Sequence, residues 1–433
     1  MLQTLKNAWK IGELRSKLLF TLIIVVIYRI GSVIYVPFVN SGALNDVFDQ
    51  GGASLFAYFN ILSGDAFSKA TLFALSISPY ITASIVIQLL TIAIPALERL
   101  SKQGPDGRKK LTQITRYCTV ALALITSIGY YFFLRSYNIV SVQGLSTGRQ
   151  VFIATVIVAC YCAGASIIMW LAEKINEHGI GNGISIILFA NIVASLPGTI
   201  YRAFVNAKNS DFGYFVPVIT VVLLVAMIVF VVYVTNAERR LPVQYAKRQV
   251  GRRMYGGQNT YIPMKLNMSG VMPIIFASSI AAIPTTLALI FTPKAGSVWE
   301  KIVNFFSSQS PVYMVIYFVL IIGFSYFYLA ISFNPVEVAN NIKNNGGSIP
   351  GIRPGKPTVD YITKILGRIT LIGAIFLGIV ATLPLIVGML GDGEFAGLAF
   401  GGSSLLILVS VVLETTKEIE AQMTMRHYKG FLE

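Results

Sequence analysis

The stretch YFVPVITVVLLVAMIVFVVYVT (214–235) carries no charge, and the stretch NAERRLPVQYAKRQVGRR (236–253) that follows holds Arg239, Arg240, Lys247, Arg248, Arg252 and Arg253. The hydrocarbon core of a bilayer is crossed by about 20 apolar residues of helix. The first stretch therefore reads as a membrane span, and the second as the polar loop where the chain leaves lipid. Such a dense basic exit also gives the span a direction, because Lys and Arg accumulate on cytoplasmic loops.

Working outward, the same pattern recurs nine more times. Candidate spans lie at 18–39, 70–97, 114–134, 151–172, 184–203, 270–292, 312–333, 368–390 and 398–416, in addition to 214–235. Of the 433 residues, 55% are hydrophobic and only 12% charged, against about 25% charged in a soluble domain. That excludes a soluble protein and predicts an all-α, multi-pass membrane protein of ten spans. Ten is even, so both termini share a face. Lys69, Arg135, Arg149, Arg202, Lys208, Lys294 and Lys301 lie on the opposite face and Arg29 within the first span; the rest of the 34 basic residues accompany the termini. Both termini are thus expected in the cytoplasm. The amphipathic, basic opening 1–17 lacks a small-residue cleavage site and reads as a cytoplasmic segment, with 417–433 as a cytoplasmic tail. Cys118, Cys160 and Cys162 sit in apolar runs and imply no disulfide framework.

Two loops on the termini face exceed what topology needs. Residues 236–269 interleave the six basic residues with Tyr245, Tyr255 and Tyr261, and their alternation predicts a hairpin. Residues 334–366 give a short amphipathic stretch, a Gly-Gly turn and a Pro-Gly-rich tip with Arg353 and Lys356. Topogenic charge beside anionic lipid explains basic loops in general. Arg and Tyr on rigid hairpins also suit docking of a polyanion or a protein, and charge alone does not choose among RNA, lipid and protein.

Five ordered motifs narrow the choice: ERLSKQGPDGRKKLTQITRY (98–117), EHGIGNGIS (177–185), AERRLPVQYAKRQ (237–249), LNMSGVMPIIFASS (266–279) and IPGIRPGKPT (349–358). Together with the topology they resemble the SecY family (SecY/Sec61-alpha), the channel subunits of the bacterial Sec protein translocase. The compact length is similar to its Gram-positive members. The resemblance implies two inverted five-helix halves, 18–203 and 204–416, closing as a clamshell around an hourglass pore with a plug helix and a lateral gate.

Residues 51–69 (GGASLFAYFNILSGDAFSK) are apolar but too short to span, which alone suggests an interfacial or re-entrant helix. The resemblance makes them the plug, with Phe56, Phe59, Ile61, Leu62, Gly64 and Asp65. In SISPYITASIVIQLL, Pro79 is expected to kink the second span, and Ile77 and Ile81 share a helix face, as do Ile184 and Leu188. Such pairs are ordinary packing on their own. By resemblance these four, with Ile275 and Ile407, match the pore ring, although the Ile-rich fifth span leaves its register open. A collar of aliphatic side chains resists ions by dewetting and imposes no sequence preference on an extended polypeptide. Thr82 and Gln88 in span two and Ser278 and Ser279 in span seven read as interhelical hydrogen-bonding groups, and by resemblance border the lateral gate. Arg29 needs a partner at membrane depth, and the sequence names none.

The sequence predicts no catalytic site, metal or cofactor. His178 and His427 are far apart along the chain, and Cys160 and Cys162 point apart on a helix. GIRPGKPT lacks the spacing of a phosphate loop. An ion-coupled transporter, the alternative on physics alone, buries carboxylates at midplane, whereas these fall in loops, tails or span ends, with Glu414 ambiguous. The resemblance implies a passive channel in the bacterial plasma membrane. It carries unfolded preproteins with their signal sequences and releases transmembrane segments sideways into lipid. Its implied partners are SecE and SecG in a heterotrimer, the SecA ATPase, the ribosome with its RNA, and anionic lipids, with SecDF and YidC beyond them. Arg353 matches the arginine tied to SecA-driven transport, and Arg252 and Arg253 match the ribosome- or motor-docking loop.

Overall fold

The computed structural model describes residues 2–44, 60, 63–140, 146–206, 215–245, 248–250, 253–255, 259–268, 270–290, 297–306, 310–390 and 401–429. Helix α1 (Leu2–Lys10) leads into α2 (Gly12–Gly31). After an irregular stretch come α3 (Ser78–Ala93), α4 (Pro95–Lys102), α5 (Pro105–Ser136), α6 (Thr147–His178), α7 (Gly183–Asn206) and α8 (Phe215–Asn236). Strands β1 (Glu238–Tyr245), β2 (Arg248–Val250), β3 (Arg253–Tyr255) and β4 (Asn259–Lys265) follow. The chain continues through α9 (Met272–Ala281), α10 (Ile283–Ile290), α11 (Val298–Phe305), α12 (Pro311–Ser332), α13 (Pro335–Asn344), β5 (Gly347–Ser348), α14 (Lys356–Leu390) and α15 (Gly401–Lys429).

Each of the ten expected spans meets helix. Pro105–Ser136, Thr147–His178, Pro311–Asn344 and Lys356–Leu383 are long and apolar enough to cross a membrane unaided, and Ser78–Ala93 with Pro95–Lys102 makes a fifth candidate through a 101° bend. Gly183–Gly198, Val221–Asn236 and Met272–Ala288 are shorter apolar stretches, and prolines mark several of the breaks in the chain. Pro79 does not kink span two as expected. It occupies the first turn of α3, where its missing N–H has no partner to lose, and residues 64–77 before it form turns rather than helix. Pro95 likewise opens α4 after the bend, and α9 stops three residues before Pro284.

Three apolar clusters organise the bundle. One belongs to early residues, among them Phe67, Leu75, Tyr130, Leu134, Ile157 and Tyr161. Another belongs to later ones, among them Val231, Tyr317, Ile321, Leu377 and Leu406. The third lies between and draws on both, joining Tyr28, Phe73, Ile81, Ile168 and Leu188 to Ile275, Phe276, Ile407 and Val411. Lipid tails are as apolar as these side chains, so the clusters cohere by close packing rather than by escape from water. Gly164 shows how close: a methyl group there would stand 2.1 Å from the carbonyl oxygen of Leu72.

The two large loops fold together. β1 pairs antiparallel with β4, bringing Leu241 opposite Ile262, and its end pairs with β5, Tyr245 opposite Gly347. Leu241, Val243 and Met264 then bury one face of this sheet on Ala339, Ile342, Ile362 and Ile365 of α13 and α14. β2 and β3 form the expected hairpin, with Arg248 opposite Tyr255. At the same end of the chain path, Ala8 and Leu14 pack on Ile180 and Ile419, fastening the N-terminal segment to α15.

Candidate functional site: an apolar cavity where six helices meet

A cavity of about 280 Å³ opens inside the bundle, lined by side chains of α3, α5, α7, α9, α10 and α15 and of the turn segment before α3. Ile81, Leu188, Ile275 and Ile407 all face it, each from a different helix. Ile77 is buried in the same cluster and Ile184 packs partly buried against it, but neither lines the cavity. Of the span-five pair, Leu188 lines the cavity and Ile184 does not. The lining is almost wholly hydrocarbon, so water finds few partners within it. A chain passing here would meet mostly branched aliphatic surface, with a few hydroxyls among it.

The polar residues assigned to the gate divide. Thr82, Ser278 and Ser279 line the cavity, whereas Gln88 is exposed further along α3. Interhelical bonding was expected of these hydroxyls, and the structure corrects it where their bonds are seen. Thr82 donates to Ser78 O at 3.1 Å and Ser278 to Ile275 O at 3.0 Å, both within their own helices. A hydroxyl at membrane depth reaches a carbonyl one turn back at no cost in helix position. The sequence also missed Phe67, Leu75, Leu122, Ile125, Ile283 and Leu287 in the lining. In spans this uniformly apolar, periodicity carries no mark of which face is inward.

The segment leading into α3 is held differently. Asn60 Nδ2 donates to Asp65 Oδ1 at 3.0 Å, and Asn60 Oδ1 accepts from Ser68 N at 2.9 Å. Phe67 N donates to Ser63 Oγ at 2.9 Å, and Tyr130 OH to Phe67 O at 2.6 Å. Gly64 and Asp65 therefore belong to a hydrogen-bonded knot. Phe56, Phe59, Ile61 and Leu62, the other plug residues, lie outside the described residues. Towards the other end of α5, Arg116 grips Glu173 with two bonds, 2.9 Å and 2.7 Å, tying α5 to α6 around a buried carboxylate.

Among the docking residues, Arg239 and Arg240 are exposed on β1. Arg240 bonds Glu238 at 2.8 Å and stacks its guanidinium 4.7 Å from the Tyr261 ring; the Glu238 hydrogen bond, then Tyr261, hold it charged above its ordinary range. The backbones of Arg248 and Arg253 lie in β2 and β3, and Lys247 and Arg252 fall outside the described residues. Arg353 and Lys356 are exposed beside β5 and at the start of α14. Because β5 pairs with β1, the two loops present one basic surface. Lys356 places a cation at the positive end of a helix dipole, a local cost of about 0.3–1 kcal/mol that packing does not require.

A multi-pass helical bundle enclosing a largely apolar cavity, with a basic sheet off one end, has the architecture of a membrane channel. The sequence model of the SecY family matches residues 71–416. The protein translocase subunit SecY of Streptomyces galbus is 44% identical over 441 residues, covering 100% of both chains, and that of Mycobacterium bovis is 42% identical over 449 residues with the same coverage. A solved protein-conducting channel superimposes with a TM-score of 0.66 at 18% identity, covering 94% of this chain and 92% of its own. Equal coverage and a TM-score of 0.66 at 19% identity hold for a second structure, described by the plug domain of SecY that stabilises the closed channel and maintains a membrane seal. Sec61 in a canine ribosome–channel complex gives a TM-score of 0.64 at 17% identity, again over 94% and 92%. The chain belongs to the SecY family. It is a multi-pass membrane protein and a protein-conducting channel subunit.

Proposed function

We propose that this chain passes unfolded secretory polypeptides outward through the cavity and releases transmembrane segments sideways between α3 and α9–α10. The meeting of Ile81, Leu188, Ile275 and Ile407 from four helices in one dry cavity carries this reading. Those four, backed by Ile77 and Ile184, form the pore ring. Residues 51–69 act as the plug, a role consistent with the seal described for the similar SecY structure. Residues 18–203 and 204–416 act as the two halves. Thr82, Ser278 and Ser279 border the lateral gate.

The chain has no catalytic role of its own, so the driving energy comes from outside. The joined loops receive it: Arg239, Arg240, Arg248, Arg253, Arg353 and Lys356, with Lys247 and Arg252, dock the SecA ATPase or the translating ribosome. A similar solved structure is Sec61 in a ribosome–channel complex, which supports a ribosome as one of the partners. Basic excess places it, with both termini, in the cytoplasm of a bacterial plasma membrane, and SecE and SecG complete the channel.

The test is a crosslink. Cys118, Cys160 and Cys162 are replaced, Ile81→Cys is introduced, and a precursor with one cysteine is stalled midway in membranes containing the chain, SecE, SecG and SecA. A disulfide that needs ATP, SecA and the signal sequence is expected. Its absence, with the chain folded and SecA bound, overturns the assignment of the ring.

A further inference from the structure

Arg29 is a charge in the first span that the channel reading does not use. Its Nη2 donates to the backbone carbonyl oxygen of Ala190, in the middle of α7. A carbonyl has two lone pairs, so Ala190 can accept this bond without leaving its own helix. The same guanidinium lies on the turn at Gly64. A methyl group at that position would stand 3.1 Å from Nη1, 3.2 Å from Nη2 and 3.1 Å from the carbonyl oxygen of Asn191. Gly64 has φ +63°, a conformation other side chains rarely take. Asp65, next in the chain, adds its attraction to the guanidinium and is itself held by Asn60. One residue on, the Asn191 side chain donates to Ser76 Oγ at 3.3 Å, both buried, fastening α7 to the other end of the same segment. Three pieces of chain thus converge on one cation: α2, the Ser63–Asp65 turn and α7.

A guanidinium placed at membrane depth is retained only where it does something. Tilting α2 outward would let Arg29 reach the interface, yet it points inward at the turn into which residues 51–69 run. We propose that Arg29 is a positioning residue that latches the channel shut: anchored on Ala190 of the fifth span, its guanidinium lies over the Ser63–Asp65 turn and attracts Asp65, so that displacement of the plug must first separate that turn from the cation. The inference rests on the channel reading above and adds to it what holds the plug in place. Ala190 offers only a backbone oxygen, so the latch tolerates any residue at 190. Its specificity lies in Arg29 and in the absence of a side chain at Gly64.

The test uses membranes containing the full chain with SecE, SecG and SecA, and reads two quantities per inserted channel: resting ion leak, and export of a precursor with a defective signal sequence. Arg29→Gln is expected to raise both about tenfold, the factor corresponding to loss of one charge-assisted hydrogen bond. Arg29→Lys, which keeps the charge and a donor, should restore much of the seal. Gly64→Ala should reproduce the Gln phenotype with the charge intact, by pushing the guanidinium aside. Gly323→Ala, where an added methyl group meets nothing within 4 Å, should leave both readings unchanged. A purely structural role would lower the amount of inserted protein without changing leak per channel. Wild-type leak and stringency in both Arg29→Gln and Gly64→Ala overturn the latch. The wild-type chain run alongside separates the two readings: failure of its own export overturns the channel, whereas normal wild-type export with unaltered variants overturns only the latch.

Discussion

The two walls of the cavity are held by different chemistry. On one wall, residues 63–77 are fixed by directional bonds: Ser63 to Phe67, Asn60 to Ser68, Tyr130 to Phe67 and Asn191 to Ser76. This wall also carries left-handed backbone at Asp65, Ala70 and Ser76, conformations that persist only where surroundings over-determine them. On the other, α9 and α10 meet α3 and α5 through Ile275, Ile283, Leu287, Leu122 and Ile125, and the hydroxyls of Thr82 and Ser278 turn back on their own helices. Hydrogen bonds in a low-dielectric interior select one geometry and are costly to leave unmade. Apolar surfaces in lipid part at little cost, because the tails replace what is lost. The bonded wall is suited to keeping a position, and the greasy wall to the parting proposed for it.

The largest effect is expected where the bonded wall has no room. Gly164 of α6 lies against the Leu72 carbonyl, a backbone atom that cannot swing away. Gly164→Ala should destabilise the protein by about 3 kcal/mol, the upper range for overpacking, seen as lost insertion or a lowered Tm of the purified complex. Gly323→Ala, in open space on α12, should stay within about 0.5 kcal/mol. Equal stability of the two would mean that α6 and the segment are not in contact.

On the greasy wall, Ile275→Asn replaces hydrocarbon with an amide in a largely apolar lining, where the hydroxyls of Thr82 and Ser278 are already bonded within their own helices. The penalty of about 1–3 kcal/mol falls on the closed state and corresponds to roughly tenfold more resting ion leak. Conductance of reconstituted channels checks it. Unchanged conductance would show that the seal lies elsewhere than at Ile275.

Tyr130→Phe removes one bond from the bonded wall and keeps the ring in place. The hydroxyl and the Phe67 carbonyl are buried, so the loss should be about 1 kcal/mol, measured by denaturant unfolding. A null result would mean that water or another donor reaches the carbonyl.

How much of this was legible beforehand follows the same division. Charge and hydropathy along the chain placed ten spans and the basic loops, because burial in lipid leaves a crude and repeated signature. The alternation in VQYAKRQ and RRMYG announced strands, and β1, β2 and β3 follow it. Pairing of β5 with β1 was not legible, since two residues 100 positions distant carry no local mark. In the cavity lining, Ile81 and Ile275 were named by resemblance, while Leu122 and Ile125 were invisible among equally apolar neighbours. Arg29 stood out as a misplaced charge, but its partner is a backbone oxygen, Ala190 O, which no sequence pattern can specify. Likewise Pro79 reads as a kink or a helix start depending on whether the residues before it are helical, and that is decided by the knot at Asn60 and Ser63.

The smallest effect expected is also the sharpest comparison of the two walls. Thr82 and Ser278 face the cavity from opposite sides of the seam between α3 and α9. Across membrane helices a side-chain hydrogen bond contributes about 0.6 kcal/mol on average, which a double-mutant cycle reads as coupling. Here each hydroxyl already has its acceptor at home, Ser78 O and Ile275 O. Thr82→Val and Ser278→Ala should therefore each change stability by less than about 0.5 kcal/mol, and the double variant should show no coupling. Measured coupling near 0.6 kcal/mol or above would mean that the seam is stitched by polar bonds after all, and the contrast between a bonded wall and a parting wall would fail at the place where the channel must open to lipid.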